Sequence, residues 1–286
     1  MARILITGAT GFIGTHLVRL LLGRHEIILL SRKKPDTIPE SGVEWFGIDL
    51  SKPLNFSNLP DKVDVVIHLA QSRFYRQFPD KAEDIFNVNV QGTFRLLEYA
   101  RHAKAESFLF ASTGSVYGYS SKKFLETYPV NPIDFYGVSK RVAELLLQSY
   151  EPFFRTVIFR FFSVYGPGQE KMLIPSLFEK IRSDKTITIE GNPGLRINPV
   201  YVRDAVRVFD TALNKPISGI FNVAGDEVVT IRDLVGLVEE VVDKDALIQH
   251  TKHHGSGDLL GENTRMKKLL NVFPETSLRE GLRKMM

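Results

Sequence analysis

Ile4–Ile6 is a short apolar run that predicts a buried strand. A glycine-rich turn follows at once, and from Phe12 to Leu22 apolar residues recur at helical spacing. Ile27–Leu30, Val43–Phe46, Val63–Leu69, Phe108–Ala111 and Thr156–Phe162 read as five further buried strands, with helical patterns between most of them, notably Asp80–His102 and Asp134–Tyr150. Strands separated by helices imply βαβ units, and so an α/β fold with a doubly wound, mostly parallel sheet. After Gly166-Pro167-Gly168 the rhythm loosens. Lys171–Ser183 predicts a helix, Thr186–Ile189 and Pro199–Val202 predict strands, and Asp204–Leu213 predicts a further helix. Thr230 with Asp233 resembles a helix N-cap, and Ser277 with Glu280 reads as the cleaner capping box. These patterns predict a first lobe over residues 1–168, to which the chain returns at about 197–225, and a smaller α/β lobe from 169–196 and 226–286.

The turn after the first strand supplies the first chemistry. Thr7-Gly8-Ala9-Thr10-Gly11-Phe12-Ile13-Gly14 lies between strand and helix, the context a dinucleotide fingerprint requires. Gly8 permits the tight turn, Gly11 lets backbone approach a pyrophosphate, and Gly14 lets helix pack on strand. The helix N-terminus turns N–H groups and positive dipole toward the anion. Gly8, Thr10, Gly11, Phe12, Ile13 and Gly14 are therefore candidate cofactor contacts on a Rossmann-type domain. In such a domain the second strand ends at the group that reads the adenosine ribose: a carboxylate suits NAD, a basic residue the 2′-phosphate of NADP. Here Ser31 stands at that place and Arg32-Lys33-Lys34 follow, so the expectation is NAD(P), leaning to NADP.

Tyr136-Gly137-Val138-Ser139-Lys140 is the second chemical signal. Positions four apart share a helix face, so Tyr136 and Lys140 project to the same side. A nearby ammonium favours the phenolate, which predicts a lowered pKa for Tyr136 and proton exchange with a substrate hydroxyl near neutral pH.

Composition narrows the classes. The chain has 286 residues, 43% of them hydrophobic, which suits a globular protein of one large domain or two unequal ones. There are no cysteines, which excludes disulfides, thiolate metal sites and cysteine nucleophiles. The net charge is +4 with no massed basic run, which suits a phosphate ligand and not nucleic acid. No secretory leader pattern opens the chain and no run approaches the ~18 apolar residues of a membrane span, so the expected location is cytoplasmic, without membrane partners.

With the Gly-x-x-Gly-x-x-Gly loop and the Tyr-x-x-x-Lys helix in place, the chain resembles the extended short-chain dehydrogenase/reductases, the NAD-dependent epimerase/dehydratase family, over nearly its whole length. The resemblance implies further roles. Asp49 matches the family's contact to the adenine amine, although it could equally cap the next turn, and Leu50 follows it. His68-Leu69-Ala70 ends the fourth strand, so Leu69, Ala70 and Gln71 would line the cofactor; His68 itself reads as a packed core histidine. Asn89-Val90-Gln91-Gly92-Thr93 matches the segment whose Asn props the central helix and the cofactor site. In Ser112-Thr113-Gly114-Ser115-Val116-Tyr117-Gly118 the match makes Thr113 the catalytic hydroxyl, with Ser112 as the alternative. Thr113, Tyr136 and Lys140 would form the catalytic set, and Phe162 would lie beside the nicotinamide. Gly114 and Ser115 stand where the family's dehydratases carry acids, which argues against a dehydratase.

On the substrate side the resemblance points to Ser163, Arg196 and His254, and two of these depart from the family pattern. Ser163 replaces the usual Asn, and His254-Gly255-Ser256-Gly257-Asp258 replaces Arg-x-Gly-Asp. His250, His253 and His254 have no evident carboxylate partner beyond Asp258, so a solvated loop is expected there and not a metal site. The expected activity is that of a nucleotide-sugar epimerase working by transient oxidation. An NADPH-dependent ketoreductase of a keto sugar or other carbonyl is the alternative. A non-catalytic dinucleotide sensor is a third reading, disfavoured because Thr113, Tyr136 and Lys140 are all present. Relatives often dimerise through the helices matching Asp80–His102 and Asp134–Tyr150, which implies a homodimer.

Overall fold

Branched and aromatic side chains form the strands where they are buried on both faces. In the computed structural model, which describes residues 1–35, 42–53, 55–252 and 257–286, the first elements are β1 (Arg3–Thr7), α1 (Phe12–Leu21), β2 (Glu26–Ser31), β3 (Val43–Gly47) and β4 (Val65–His68). Next come α2 (Ala82–Phe86), a π-helical segment (Asn87–Gln91), α3 (Gly92–His102), β5 (Ser107–Thr113), α4 (Phe135–Ser149) and β6 (Arg155–Phe161). They are followed by β7 (Val164–Tyr165), α5 (Leu173–Arg182), β8 (Ile187–Glu190), β9 (Arg196–Ile197), β10 (Val200–Tyr201) and α6 (Val202–Asn214). The last elements are β11 (Gly219–Val223), β12 (Val229–Thr230), α7 (Ile231–Val242), β13 (Ile248–Thr251) and α8 (Leu278–Arg283).

The main sheet has seven strands in the order β11-β6-β5-β4-β1-β2-β3. The pairings β1–β2, β1–β4, β2–β3 and β4–β5 are all parallel. The order reverses between β1 and β4, so the carboxyl ends of these two strands open the crevice where doubly wound sheets bind ligands.

The chain divides into two compact units. The first comprises 1–117, 129–160 and 206–221. Its core joins Leu5 and Ile28 of the sheet to Leu96, Leu97 and Ala100 of α3 and Ala143 and Leu147 of α4, with Phe108 and Phe110 fully buried among them. Each such ring contributes about 1.5–3 kcal/mol relative to exposure. The second unit comprises 118–128, 161–205 and 222–286. Its core gathers Leu177, Phe178 and Ile181 of α5, Leu234, Val235 and Val238 of α7, and Leu278 and Leu282 of α8 around Tyr165 and Tyr201. Among the described residues no helix is long and apolar enough to cross a membrane.

Three local features depart from the sequence reading. β11 completes the sheet although its run includes Asn222; that side chain is buried and donates to the Phe124 carbonyl at 2.7 Å, so the polar residue is satisfied inside the fold. The helical stretch 82–102 contains the π-helical turn at Asn87–Gln91. Thr93 Oγ1 donates to the Asn89 carbonyl at 2.6 Å, which takes up an acceptor of the backbone ladder there. The complete capping box is the Thr230–Asp233 pair, with both reciprocal bonds made. Ser277 caps α8 by accepting from Glu280 N, while the Glu280 carboxylate is turned to Lys284 instead.

Candidate active site

The turn between β1 and α1 is built by close approach. Gly8 has φ +72°, and a Cβ there would lie 2.6 Å from Ala70 N. A Cβ on Gly14 would lie 2.2 Å from the Gly8 carbonyl oxygen. Gly11 is different: a Cβ there would meet only the Gly8 oxygen, at 3.2 Å, so its outer side is open. Gly11 is the N-cap of α1, with no side-chain cap and no acidic residue in the first turn. The N–H groups of Phe12, Ile13 and Gly14 and the positive end of the helix therefore face that open side, beside exposed Thr10, which fits an incoming pyrophosphate.

Behind the loop runs a chain of buried hydrogen bonds. Ala70 N–H donates to Thr7 Oγ1 at 3.3 Å, and Thr7 Oγ1 lies 2.6 Å from His68 Nδ1. His68 Nε2 lies 3.0 Å from Thr93 Oγ1, whose proton goes to the Asn89 carbonyl. Because Thr93 spends its proton on Asn89, it accepts from Nε2–H; Nδ1 then accepts from Thr7. Burial, aided by the charge of Lys140, drives the His68 pKa well below its ordinary value and keeps the ring neutral. The Asn89 side chain continues the chain: Oδ1 accepts from Ser72 N at 2.8 Å, and Nδ2 donates to Ser139 Oγ at 2.9 Å. Ser139 Oγ in turn donates to the Tyr136 carbonyl at 2.8 Å. His68 is thus a core histidine, and Asn89 props α4 as the resemblance implies.

Asp134 caps α4 by accepting from Gly137 N at 2.6 Å, and a Cβ on Gly137 would lie 2.9 Å from the Ser115 carbonyl. This tight seat brings the helix start against the end of β5. The Tyr136 hydroxyl donates to Gln71 Oε1 at 2.9 Å, with Thr113 near enough to act on its titration. Thr113 and Tyr136 therefore meet. Thr113 Oγ1 also accepts from Ser115 N at 3.1 Å. Ser112 points elsewhere and donates to Glu144 Oε1 at 2.5 Å. Lys140 Nζ donates to the Ala111 carbonyl at 2.8 Å and sits 4.8 Å from the Phe110 ring centre.

The electrostatics differ from the sequence expectation. The Tyr136 pKa is raised above its ordinary value, first by burial and then by Tyr75 beside it, with Thr113 pulling the other way. Lys140 does not lower it. Burial pushes the Lys140 ammonium itself down to about 7, against the upward pull of Glu144. In this arrangement the lysine is a weak cation tied to a carbonyl and the tyrosine is held as a phenol.

Sequence reasoning missed several neighbours. Tyr75 packs against Tyr136 with ring centres 4.9 Å apart, and Arg76 lies 5.2 Å over Tyr75. Glu144 and Arg160 form a buried ion pair through Nε (2.9 Å) and Nη2 (2.6 Å), with Arg141 adding a second cation at 3.1 Å. Glu144 lies one turn beyond Lys140 on α4, a spacing visible in the sequence.

The remaining candidates lie as follows. Ser31 ends β2 and Arg32 follows, exposed. Asp49 Oδ1 accepts from both N and Oγ of Ser51, so Asp49 caps that turn; burial of the carboxylate works against this, but the Ser51 bonds, Arg32 and Lys52 hold its pKa below the ordinary value. Leu50 is a core residue. In the second unit Phe162 is fully buried, with Gly261 against its ring. Ser163 has φ +46°, a left-handed backbone that Asn adopts more readily than Ser. Arg196 is paired with Asp258 through Nε (2.9 Å) and Nη2 (2.6 Å) and also donates to the Ser121 carbonyl. His253 and His254 lie outside the described residues; His250 Nδ1 is 2.8 Å from the Gly191 carbonyl, and no metal-competent group of side chains occurs among the described residues.

A glycine-cradled helix N-terminus at the switch point, with a Thr–Tyr pair and a buried Lys beside it, defines a nicotinamide-dependent enzyme of the short-chain dehydrogenase type. The profile of the NAD dependent epimerase/dehydratase family matches residues 4–224, and the chain belongs to that family. It is 32% identical over 311 residues to the uncharacterized UDP-glucose epimerase YtcB of Bacillus subtilis (strain 168), covering 98% of this chain and 95% of that protein. It is 30% identical over 261 residues to the human dTDP-D-glucose 4,6-dehydratase, covering 83% of this chain and 74% of that one. Among solved structures, the UDP-glucuronic acid 4-epimerase of Bacillus cereus in complex with UDP-glucuronic acid and NAD superposes with a TM-score of 0.89 at 29% identity, over 98% of this chain and 96% of that one.

The depressed Lys140 pKa has a measurable consequence. The unfolded chain keeps the lysine proton up to the ordinary value of 10.5, the folded protein only to about 7. Between these values the unfolded state holds one more proton, so stability rises with pH, by about 1.4 kcal/mol per unit at full effect. Urea unfolding between about pH 8 and 9.5 is expected to show this rise and Lys140→Met to lose it, which compares the two slopes at one site. Tyr99 and Tyr150, pushed up to about 12, oppose the trend only where free tyrosine begins to ionise, near pH ~10.

Proposed function

We propose that the protein is a nucleotide-sugar epimerase that inverts a sugar carbon by oxidising and re-reducing it. The carrying observation is the Tyr136 hydroxyl, held by Gln71 beside Thr113, on the helix that also bears Lys140. A bound nicotinamide supplies the two-electron acceptor that takes hydride from the carbon and gives it back, and in its oxidised form brings a positive charge that favours phenolate. Tyr136 takes the proton of the sugar hydroxyl as that carbon is oxidised and returns it when the carbon is reduced from its other face. Thr113 hydrogen-bonds the same oxygen and shares its proton. Lys140, released from Ala111, binds a ribose hydroxyl and stabilises the charged tyrosine. Leu69, Ala70 and Asn89 would line and prop the cofactor site, Phe162 would lie on the nicotinamide side, and Ser163, Arg196 and His254 would serve the nucleotide-sugar.

A UDP-sugar is favoured because the relatives above include proteins named as UDP-glucose and UDP-glucuronic acid epimerases. Dehydration is disfavoured even though a dehydratase is among the relatives. The turn after Thr113 carries Gly114 and Ser115, and neither can deliver or remove a proton as a carboxylic acid does. A second reading, one-way reduction of a carbonyl by NADPH, is favoured by Ser31 and Arg32 at the end of β2, where no acid stands to bind a free 2′-hydroxyl. A homodimer is supported by Phe86, Phe94, Val138 and Leu145, which expose 40–46% of their surface along α2, α3 and α4.

Three measurements test these readings. Tyr136→Phe is expected to lower the rate of 4-epimerisation of UDP-glucose or UDP-glucuronate by about 10²–10⁴-fold with dinucleotide affinity unchanged; a variant at wild-type rate sinks the epimerase mechanism. Titration of the nucleotide-free protein is expected to favour NADP⁺ over NAD⁺ by about tenfold, ~1.4 kcal/mol, and Arg32→Ala to remove that margin. Tight NAD⁺ binding without NADP⁺ binding would reverse the cofactor assignment. Sedimentation is expected to give a dimer that Phe94→Glu dissociates; a wild-type monomer removes the dimer.

A further inference from the structure

The lone tryptophan of the chain sits at the edge where the adenosine ribose is read. β2 and β3 run parallel with Leu29 opposite Trp45 and Ser31 opposite Gly47. Trp45 and Gly47 are two apart on β3 and so point to one face of the sheet. The indole lies along the strand over Gly47, where a Cβ would stand 3.1 Å from Cη2. In that position Nε1 donates to Ser31 Oγ at 3.0 Å. Ser31 Oγ in turn donates to the Lys33 carbonyl at 2.7 Å.

A serine hydroxyl has one proton and two lone pairs. The proton is committed to Lys33 and one lone pair to Trp45. Ser31 is left with a single acceptor position for a ribose hydroxyl, and it can donate to nothing else without breaking the turn at 31–33. That turn directs Arg32, which is close enough to Asp49 to act on its charge. A small polar residue at the end of β2 would otherwise serve a 2′-hydroxyl adequately. The indole N–H limits it in that role by taking one of its lone pairs and orienting the hydroxyl toward Lys33, whose carbonyl accepts its proton in the turn that offers the guanidinium.

We propose that Trp45 is a specificity-determining residue: through its hydrogen bond to Ser31 it turns the 2′ edge of the site away from a free ribose hydroxyl and toward a phosphorylated one. The inference rests on the dinucleotide site proposed above. Trp45→Phe keeps an aromatic ring over Gly47 and removes only the donor. Ser31 then regains its second acceptor position and can swing away from Lys33.

The test is calorimetric titration of NAD⁺ and NADP⁺ into the wild type, Trp45→Phe, Ser31→Ala and the double variant. The ratio of affinities in Trp45→Phe is expected to move toward NAD⁺ by about threefold to tenfold, the net worth of one hydrogen bond. Because the effect runs through Ser31, Trp45→Phe is expected to change nothing further in the Ser31→Ala background. In the wild type the single tryptophan's emission is expected to change on saturation with either dinucleotide, a readout that needs no variant. A ratio unchanged within about twofold, the same shift with Ser31 removed, or an indole blind to bound cofactor would overturn the role of Trp45, whichever dinucleotide the wild type prefers. Binding of neither dinucleotide by the wild type would overturn the dinucleotide site and this inference together.

Discussion

The buried imidazole of His68 orders the site because both its nitrogens must find partners inside the protein. It is fully buried at the carboxyl end of β4, where an unpaired ring nitrogen would cost about 1–3 kcal/mol. Thr7 at the end of β1 and Thr93 at the start of α3 supply those partners. Thr93 then takes the Asn89 carbonyl, which accompanies the π-helical turn. The turn presents the Asn89 side chain to Ser72 and Ser139. One neutral ring thereby fixes the register between the phosphate loop, the strand that follows it and the helix that carries Tyr136.

A second buried constraint lies on the other side of α4. Glu144 and Arg160 are almost wholly inaccessible, and such a pair contributes little net stability because both ions lose their hydration. Its value is positional. Ser112 is drawn to Glu144, so the next residue of β5, with its side chain on the opposite face, is Thr113. Lys140, one turn before Glu144, enters the space between β5 and the helix, where the Ala111 carbonyl and the Phe110 ring are its partners. Burial there outweighs the pull of Glu144 and leaves the amine near its titration point at neutral pH. A lysine poised in this way changes charge for little free energy when a ligand arrives, which a fully solvated ammonium does not.

Much of this was legible in the sequence. The strands β1 to β6 and the helices α1 and α4 fall where hydrophobic spacing puts them: β1, β2, β4, β5 and β6 are buried along most of their length and the helices along one face, while β3, expected as a buried strand, lies at the sheet edge with none of its residues fully buried. The glycine loop and the meeting of Tyr136 with Thr113 followed from spacing and resemblance. What was not legible depends on partners distant in the chain. The pKa of Tyr136 was expected to fall on the strength of its i+4 lysine; the structure shows that depth of burial decides both values. Asn222 hid β11 because its acceptor, Phe124, is far away in sequence. Trp45 carried no signal of its own, since only the pairing of β2 with β3 brings it to Ser31.

The same physics accounts for where the chain keeps its family's pattern and where it departs from it. Thr7, His68, Thr93, Asn89 and Ser139 are buried and linked in one chain of bonds, and Glu144 is buried with Ser112 and Arg160, so replacing any one leaves its neighbours unsatisfied in a low-dielectric interior. At Ser163 and Arg196 the penalties are smaller. Ser163 holds a left-handed backbone at a modest cost that Asn would lower. Arg196 is 46% exposed beside Asp258, and an exposed pair of this kind contributes about 0–1 kcal/mol. Variation is tolerated where water can take the place of a lost partner. The network around His68 and Asn89 is specified by bonds that water cannot reach, whereas Arg196 sits where it can.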